Sequence, residues 1–280
     1  MNLITGINQF IGLFISTVKQ VLHARTWLAL LLYFLLSVLV LYAHYDFLAP
    51  FFYPLIKGWV SLFGEDSFKA FSHYPGHFLY LPYYFSWAKI VFGLLFEGLV
   101  LGTVAVFFAD RYRHLAGTTG TPFKEVLRLM LQFIAAWVIF NGMTVLVNLY
   151  LPDMLAAFHQ DSPRRLMAVR FVLQPLVLVV IFAMLFFALP IVAVYRVNFL
   201  KAVGRSLRLF FRRPLTCLFL AGIIMIVPYI VSAVPPDVII TKFKPELVFW
   251  IMLFGLAVET VASYFWMGTA VRFMLEEESS

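Results

Sequence analysis

Phe92-Gly93-Leu94-Leu95-Phe96-Glu97 and Phe254-Gly255-Leu256-Ala257-Val258-Glu259 are two near-copies of one phrase, set inside the long apolar runs 86–109 and 247–271. A helix needs about 20 apolar residues to cross the hydrocarbon core of a bilayer, and both runs reach that length. A carboxylate near the middle of such a helix costs about 3 kcal/mol or more. Something must offset that cost in both copies, and the phrase therefore predicts either a membrane-embedded site or a polar packing core.

The composition extends this reading to the whole chain. Charged residues make up 12% of the 280 positions and hydrophobic ones 63%, against about a quarter charged in soluble domains. The apolar residues come in blocks separated by short charged loops. The pattern predicts an all-α polytopic protein, a single integral membrane domain over 1–280, placed in a bacterial inner membrane. The net charge of +7 sits mostly at the ends of the apolar runs, where it fits membrane topology and lipid headgroups and not nucleic acid. The lone Cys217 lies in an apolar run and excludes an internal disulfide. No small-x-small site follows the first run, so that run is expected to remain in the mature protein.

Six runs qualify as spans, at about 27–46, 86–109, 129–150, 171–195, 214–234 and 247–271, preceded by an amphipathic interfacial helix at about 4–24. With both termini inside, the cytoplasmic face carries Lys19, Arg25, Arg111, Arg113, Lys124, Arg128, the cluster from Arg196 to Arg213, and Arg272. The outer face carries Lys57, Lys69, Arg164, Arg165, Arg170, Lys242 and Lys244, with Lys89 at a boundary. The excess of Lys and Arg inside sets both termini as cytoplasmic.

The first outer loop, about 47–85, is rich in Phe, Tyr and Trp and broken by Pro and Gly. Its stretch 51–63 is too short to span and is expected to lie in the interface or to re-enter. His73 and His77 have a metal-like spacing, but Pro75 between them argues against one helix presenting both, and no metal site is expected.

Amphipathic or basic segments precede the odd-numbered spans. Ile7, Phe10, Ile11, Phe14, Ile15, Val18, Val21 and Leu22 follow a helical period in the first. In the third, Leu200, Val203, Leu207, Phe210 and Phe211 form an apolar face, and Lys201, Arg205, Arg208 and Arg212 a cationic one continued by Arg213. The middle segment opens with Thr121 as N-cap and Pro122 at N1, and is read as running straight into its span. The chain thus reads as three copies of a helix hairpin, each led by an interfacial segment, with the cations of the third on lipid headgroups.

The segment from Phe199 to Pro214, FLKAVGRSLRLFFRRP, resembles a signature of six-span bacterial membrane proteins that include the membrane domain attached to some glycerophosphodiester phosphodiesterases. No soluble hydrolase sequence accompanies it here, so the resemblance implies architecture only.

Gly93, Gly98 and Gly102 beside Glu97, and the stripe Gly255, Glu259, Ser263, place both glutamates toward protein and not lipid. With no cation read at that depth, Glu97 and Glu259 are expected to be protonated and to donate hydrogen bonds, with Asn141 as a partner. Such residues serve either a proton-coupling or substrate site or the pinning of helix register. Pro175, Pro190 and Pro228 predict kinks that free backbone carbonyls.

Catalytic motifs are absent: there is no HExxH, Gly-x-Ser-x-Gly or Walker loop. Asp153, His159, Asp161, Arg164 and Arg165 cluster on the second outer loop and read as a solvated surface. No enzyme activity, catalytic residue or cofactor is expected. The function expected is the handling or transport of a lipid or other amphipathic substrate, with membrane lipids as partners. The alternatives are an ABC-type permease subunit with an ATP-binding partner docked at 110–128 or 196–213, and a scaffold for other membrane proteins.

Overall fold

The computed structural model describes residues 3–115, 122–158, 172–232 and 244–279. Nearly all of them are helical, and no strand occurs among the described residues. In hydrocarbon a helix satisfies its backbone N–H and C=O groups internally, which a lone strand cannot do. The helices are α1 (Leu3–Val18), α2 (Ala24–Tyr45), α3 (Tyr53–Ser61), α4 (Glu65–Ser72), α5 (Gly76–Leu115), α6 (Pro122–Phe158), α7 (Gln174–Leu185), α8 (Ala188–Tyr195), α9 (Phe199–Arg212), α10 (Pro214–Ser232) and α11 (Leu247–Ser279).

Five stretches are long and apolar enough to cross a membrane on their own: Ala24–Tyr45, Gly76–Arg113, Pro122–Leu151, Gln174–Tyr195 and Leu247–Glu277. The expected run 214–234 begins as α10, which is joined to α9 through a bend of 108°. Counting that bent pair gives six, and the chain is an all-α polytopic membrane protein. Residues 233–234 of that run, Thr121, and the loop residues His159, Asp161, Arg164, Arg165, Arg170 and Lys242 lie outside the described residues, as does the side chain of Asp153.

The second span differs from the sequence reading. It starts at Gly76 and not at 86, and Pro82 is accommodated inside it. The reason is packing: Leu81, Tyr84 and Phe85 are buried, and their burial holds the helix through a residue that lacks an N–H. The middle amphipathic segment is continuous with its span in α6, as read. Of the three prolines, Pro175 opens α7, Pro190 follows the break between α7 and α8, and Pro228 lies within α10.

The helices form two compact units, one of residues 1–29, 94–225 and 263–280, the other of 30–93 and 226–262. These boundaries fall inside α2, α5, α10 and α11, so the compact units do not follow the three expected hairpins. In the larger unit, α5 and α6 approach closely: Gly98 lies against Trp137 and the Phe133 carbonyl, and Gly102 against the Phe133 ring. Trp137, Phe140, Phe182, Phe186 and Trp266 form a contiguous aromatic cluster.

In that unit α1 divides its surface two ways. Leu13, Thr17 and, just beyond the helix, Gln20 are buried. Phe14 stacks on Phe265 at 4.7 Å, and Gln20 accepts a hydrogen bond from Arg111 at 3.2 Å. Ile11, Ile15 and Val18 stay exposed. The expected amphipathic helix is present, but its apolar residues are split between a protein-packed face and an open one.

The smaller unit has two buried clusters. Leu41, Leu81, Phe85, Val248, Phe249 and Leu256 pack α2, α5 and α11 together. Phe47, Ile56, Val60, Phe71 and Tyr84 seat α3 and α4 as a folded cap. The stretch 51–63 is therefore a helix packed on one side through Ile56 and Val60, with Phe51, Leu55 and Leu62 exposed on the other. His73 ends α4 while His77 lies in the first turn of α5, so no single helix presents both.

Candidate functional site

The basic helix α9 is defined at both ends by local chemistry. Arg196, after α8, takes a left-handed conformation at φ 53°, which costs a non-glycine residue about 1–2 kcal/mol. Two contacts hold it: the Arg196–Glu125 ion pair, and the bond that Arg113 donates to the Val194 carbonyl at 2.7 Å. Asn198 then caps α9, its side chain accepting from the Lys201 N–H at 3.0 Å. Gln132 of α6 accepts from the Phe199 N–H at 2.9 Å, satisfying another of the orphan donors at the helix start. At the far end Pro214 cannot continue the helix, and the chain turns into α10.

Between these ends α9 presents three faces, as about 3.6 residues per turn dictates. Ala202, Ser206 and Phe210 are buried, and the Ser206 hydroxyl donates to the Met184 carbonyl at 2.7 Å. Lys201, Arg205, Arg208 and Arg212 form an exposed cationic stripe. Leu200 and Phe211 are 64% and 70% exposed and, with Gly204, make an open apolar strip between the other two. Where α9 meets α6 and α7, a small apolar hollow is lined by Ile139, Met143, Ile181, Met184, Leu185, Val203 and Leu207.

Among the described residues, none of the four stripe cations is ion-paired; Arg205 lies over the Tyr195 ring at 5.3 Å from its centre. Arg213 pairs with Glu277 at the end of α11 and ties α9 to the protein.

The intramembrane carboxylates are also placed differently from the sequence reading. Glu259 forms an ion pair with Lys89 of α5. The expectation that no cation lies at the depth of Glu259 is therefore corrected: the earlier start of α5 carries Lys89 well inside a helix and level with Glu259. The missed signal is a single lysine set in apolar sequence, Trp87-Ala88-Lys89-Ile90-Val91. Glu97 is half-buried on α5, next to the buried Gly98. Asn141 on α6 and Ser263 on α11 are half-buried too. Glu97, Asn141 and Ser263 belong to the larger unit and Glu259 to the smaller, so the four do not form one cluster within a unit.

No protein-family model matches the chain, and neither does any curated protein or solved structure.

Proposed function

We propose that the chain is a non-catalytic, lipid-handling protein of the bacterial inner membrane, with both termini cytoplasmic, that holds anionic phospholipid along α9. The observation that carries this reading is the three-faced geometry of α9. One face is fixed to the protein through Ser206 and Phe210, one is an open apolar strip, and one is a stripe of four exposed cations. A helix at the inner interface needs its apolar side in the acyl region and its cations at the headgroups. The 108° bend into α10 suits a helix lying flat before one that crosses. Each cation near an anionic surface contributes about 1 kcal/mol, and the apolar hollow beside Val203 and Leu207 accommodates part of an acyl chain.

The test is purification from native membranes in mild detergent, followed by mass spectrometry of bound lipids and proteins. Wild type is expected to retain anionic phospholipid, and K201Q/R205Q/R208Q/R212Q to lose it about tenfold or more. Equal retention by the two overturns the reading. A stoichiometric ATP-binding subunit in place of lipid would favour a permease.

A further inference from the structure

The short helix α3 sits level with the end of a spanning helix and not above it. The 22 residues of α2 span about 33 Å at 1.5 Å per residue, close to the roughly 30 Å hydrocarbon thickness. Its last turn, at His44 and Tyr45, therefore marks one boundary of the apolar layer. In the smaller unit the His44 ring meets Phe85 of α5 edge-on at 6.2 Å. Trp59 of α3 donates its indole N–H to the Tyr84 carbonyl at 3.2 Å, and Phe63, just past α3, meets the Tyr84 ring at 5.3 Å. Tyr84 and Phe85 are neighbours, so these contacts hold α3 at the level where α2 ends.

The surface of α3 matches that depth. At about 3.6 residues per turn it divides into three sectors. Ile56 and Val60 are buried in a cluster with Phe47, Phe71 and Tyr84. Tyr53, Lys57 and Ser61, spaced four apart, form a polar flank, on which the Lys57 ammonium lies 5.6 Å from the centre of the Tyr53 ring. The third sector holds Pro54, Leu55, Gly58 and, at the helix end, Leu62, and carries no charge. Leu55 and Leu62 are 61% and 77% exposed, and a Cβ on Gly58 would meet nothing. The next helix of the same cap opens differently: α4 presents Lys69 and Asp66, paired at 2.9 Å with side chains 77% and 89% exposed. That surface suits water. A helix that packs one apolar side on protein and opens another without charge needs an apolar medium, and at the boundary of the bilayer that medium is acyl chain.

We propose that the open face of α3 is set into the acyl region of the outer leaflet, with Pro54, Leu55, Gly58 and Leu62 among lipid chains and Lys57 turned to the phosphates. Tyr53 beside Lys57 fits this placement, because aromatic rings with a polar tip favour headgroup depth. The cap is then held half in lipid, through α3, and half in water, through α4. The partner is a leaflet surface and not a single bound lipid, so the inference stands apart from lipid binding along α9.

Nitroxide labels are attached to Leu55→Cys, Leu62→Cys and Lys69→Cys, each made in full-length Cys217→Ser protein and reconstituted in vesicles of phosphatidylethanolamine and phosphatidylglycerol. Circular dichroism checks that each variant keeps the helix content of wild type. Collision rates are read with oxygen, which concentrates in hydrocarbon, and with a neutral nickel chelate, which stays in water. The oxygen-to-nickel ratio is expected to be several-fold higher at positions 55 and 62 than at 69, with Ser61→Cys, on the polar flank, between them. A ratio at 55 and 62 equal to that at 69 puts the open face of α3 in water and overturns the proposal. Shielding of 55 and 62 from both reagents overturns it too, because protein then covers the face; spectral broadening by a neighbouring label would identify that protein as a second copy.

Discussion

Trp266 donates its indole N–H to the backbone carbonyl of Phe186 at 2.9 Å, in the buried interior of the larger unit. Phe186 stands four residues before Pro190, so in an unbroken helix its carbonyl would accept from the N–H of residue 190, which proline lacks. The helix breaks there between α7 and α8, and α11 provides the donor that the proline withholds. Membrane helices accommodate proline when a neighbouring group satisfies the freed carbonyl in this way.

Trp266→Phe is therefore expected to destabilise the protein by about 1–3 kcal/mol, the cost of an orphaned buried acceptor. Pro190→Ala restores a backbone donor at the same carbonyl. In the double variant the loss from Trp266→Phe should shrink by about 1 kcal/mol, a coupling of the size found for groups that share a partner. Unfolding in detergent, followed by circular dichroism, measures all four proteins; strictly additive losses would show that Pro190 and Trp266 do not share the Phe186 carbonyl.

The close approach of α5 and α6 depends on two glycines. A Cβ on Gly98 would collide with Trp137 and the Phe133 carbonyl, and one on Gly102 with the Phe133 ring, whereas one on Gly142 meets nothing. Gly98→Ala and Gly102→Ala should each cost about 1–3 kcal/mol through overpacking. Gly142→Ala should be neutral or stabilising by up to about 1 kcal/mol. Thermal melting of the three single variants checks the order; equal melting temperatures would show that α5 and α6 separate without cost.

Much of this was legible in the sequence, because the relevant forces are local. Runs of apolar residues specify spanning helices, and the 3.6-residue period of Leu200, Val203, Leu207 and Phe211 against Lys201, Arg205, Arg208 and Arg212 specifies α9. Pro190 announces a freed carbonyl. What the sequence withheld was partnership across the fold. Trp266 is 80 positions from Phe186 and Lys89 is 170 from Glu259, and no local pattern links either pair. In the sequence Lys89 reads as a boundary residue, because Pro75, Gly76 and Pro82 resemble loop punctuation. The burial of Leu81, Tyr84 and Phe85 turns that stretch into the first turns of α5. Arg213 continues the cationic run in sequence, yet its position at the bend hands it to Glu277.

Asn198 accepts from the Lys201 N–H at the start of α9, where the first N–H groups have no partner within the helix. Asn198→Ala should lower stability by about 1 kcal/mol and raise hydrogen exchange at residues 199–202, while Asn198→Asp or Asn198→Ser, which keep a side-chain acceptor, should stay near wild type. Exchange that stays at the wild-type rate in all three variants would show that Gln132, which accepts from the Phe199 N–H, holds this end of α9 without the cap.

Arg213 and Glu277 join the bend between α9 and α10 to the end of α11 through a pair with side chains 31% and 23% exposed. Such partly open pairs contribute about 1 kcal/mol or less, so the effect sought is positional. Arg213→Gln and Glu277→Gln should each increase hydrogen exchange in the last turn of α9, around Phe210 to Arg212, with little change in the middle of α10. The charge-exchanged pair R213E/E277R should restore protection. Arg208→Gln, on the open stripe, should leave exchange in that turn at the wild-type rate, because Arg208 contacts no carboxylate among the described residues. A loss of protection in Arg208→Gln equal to that in Arg213→Gln would mean that the basic character of α9, and not the contact to Glu277, sets the angle of the helix.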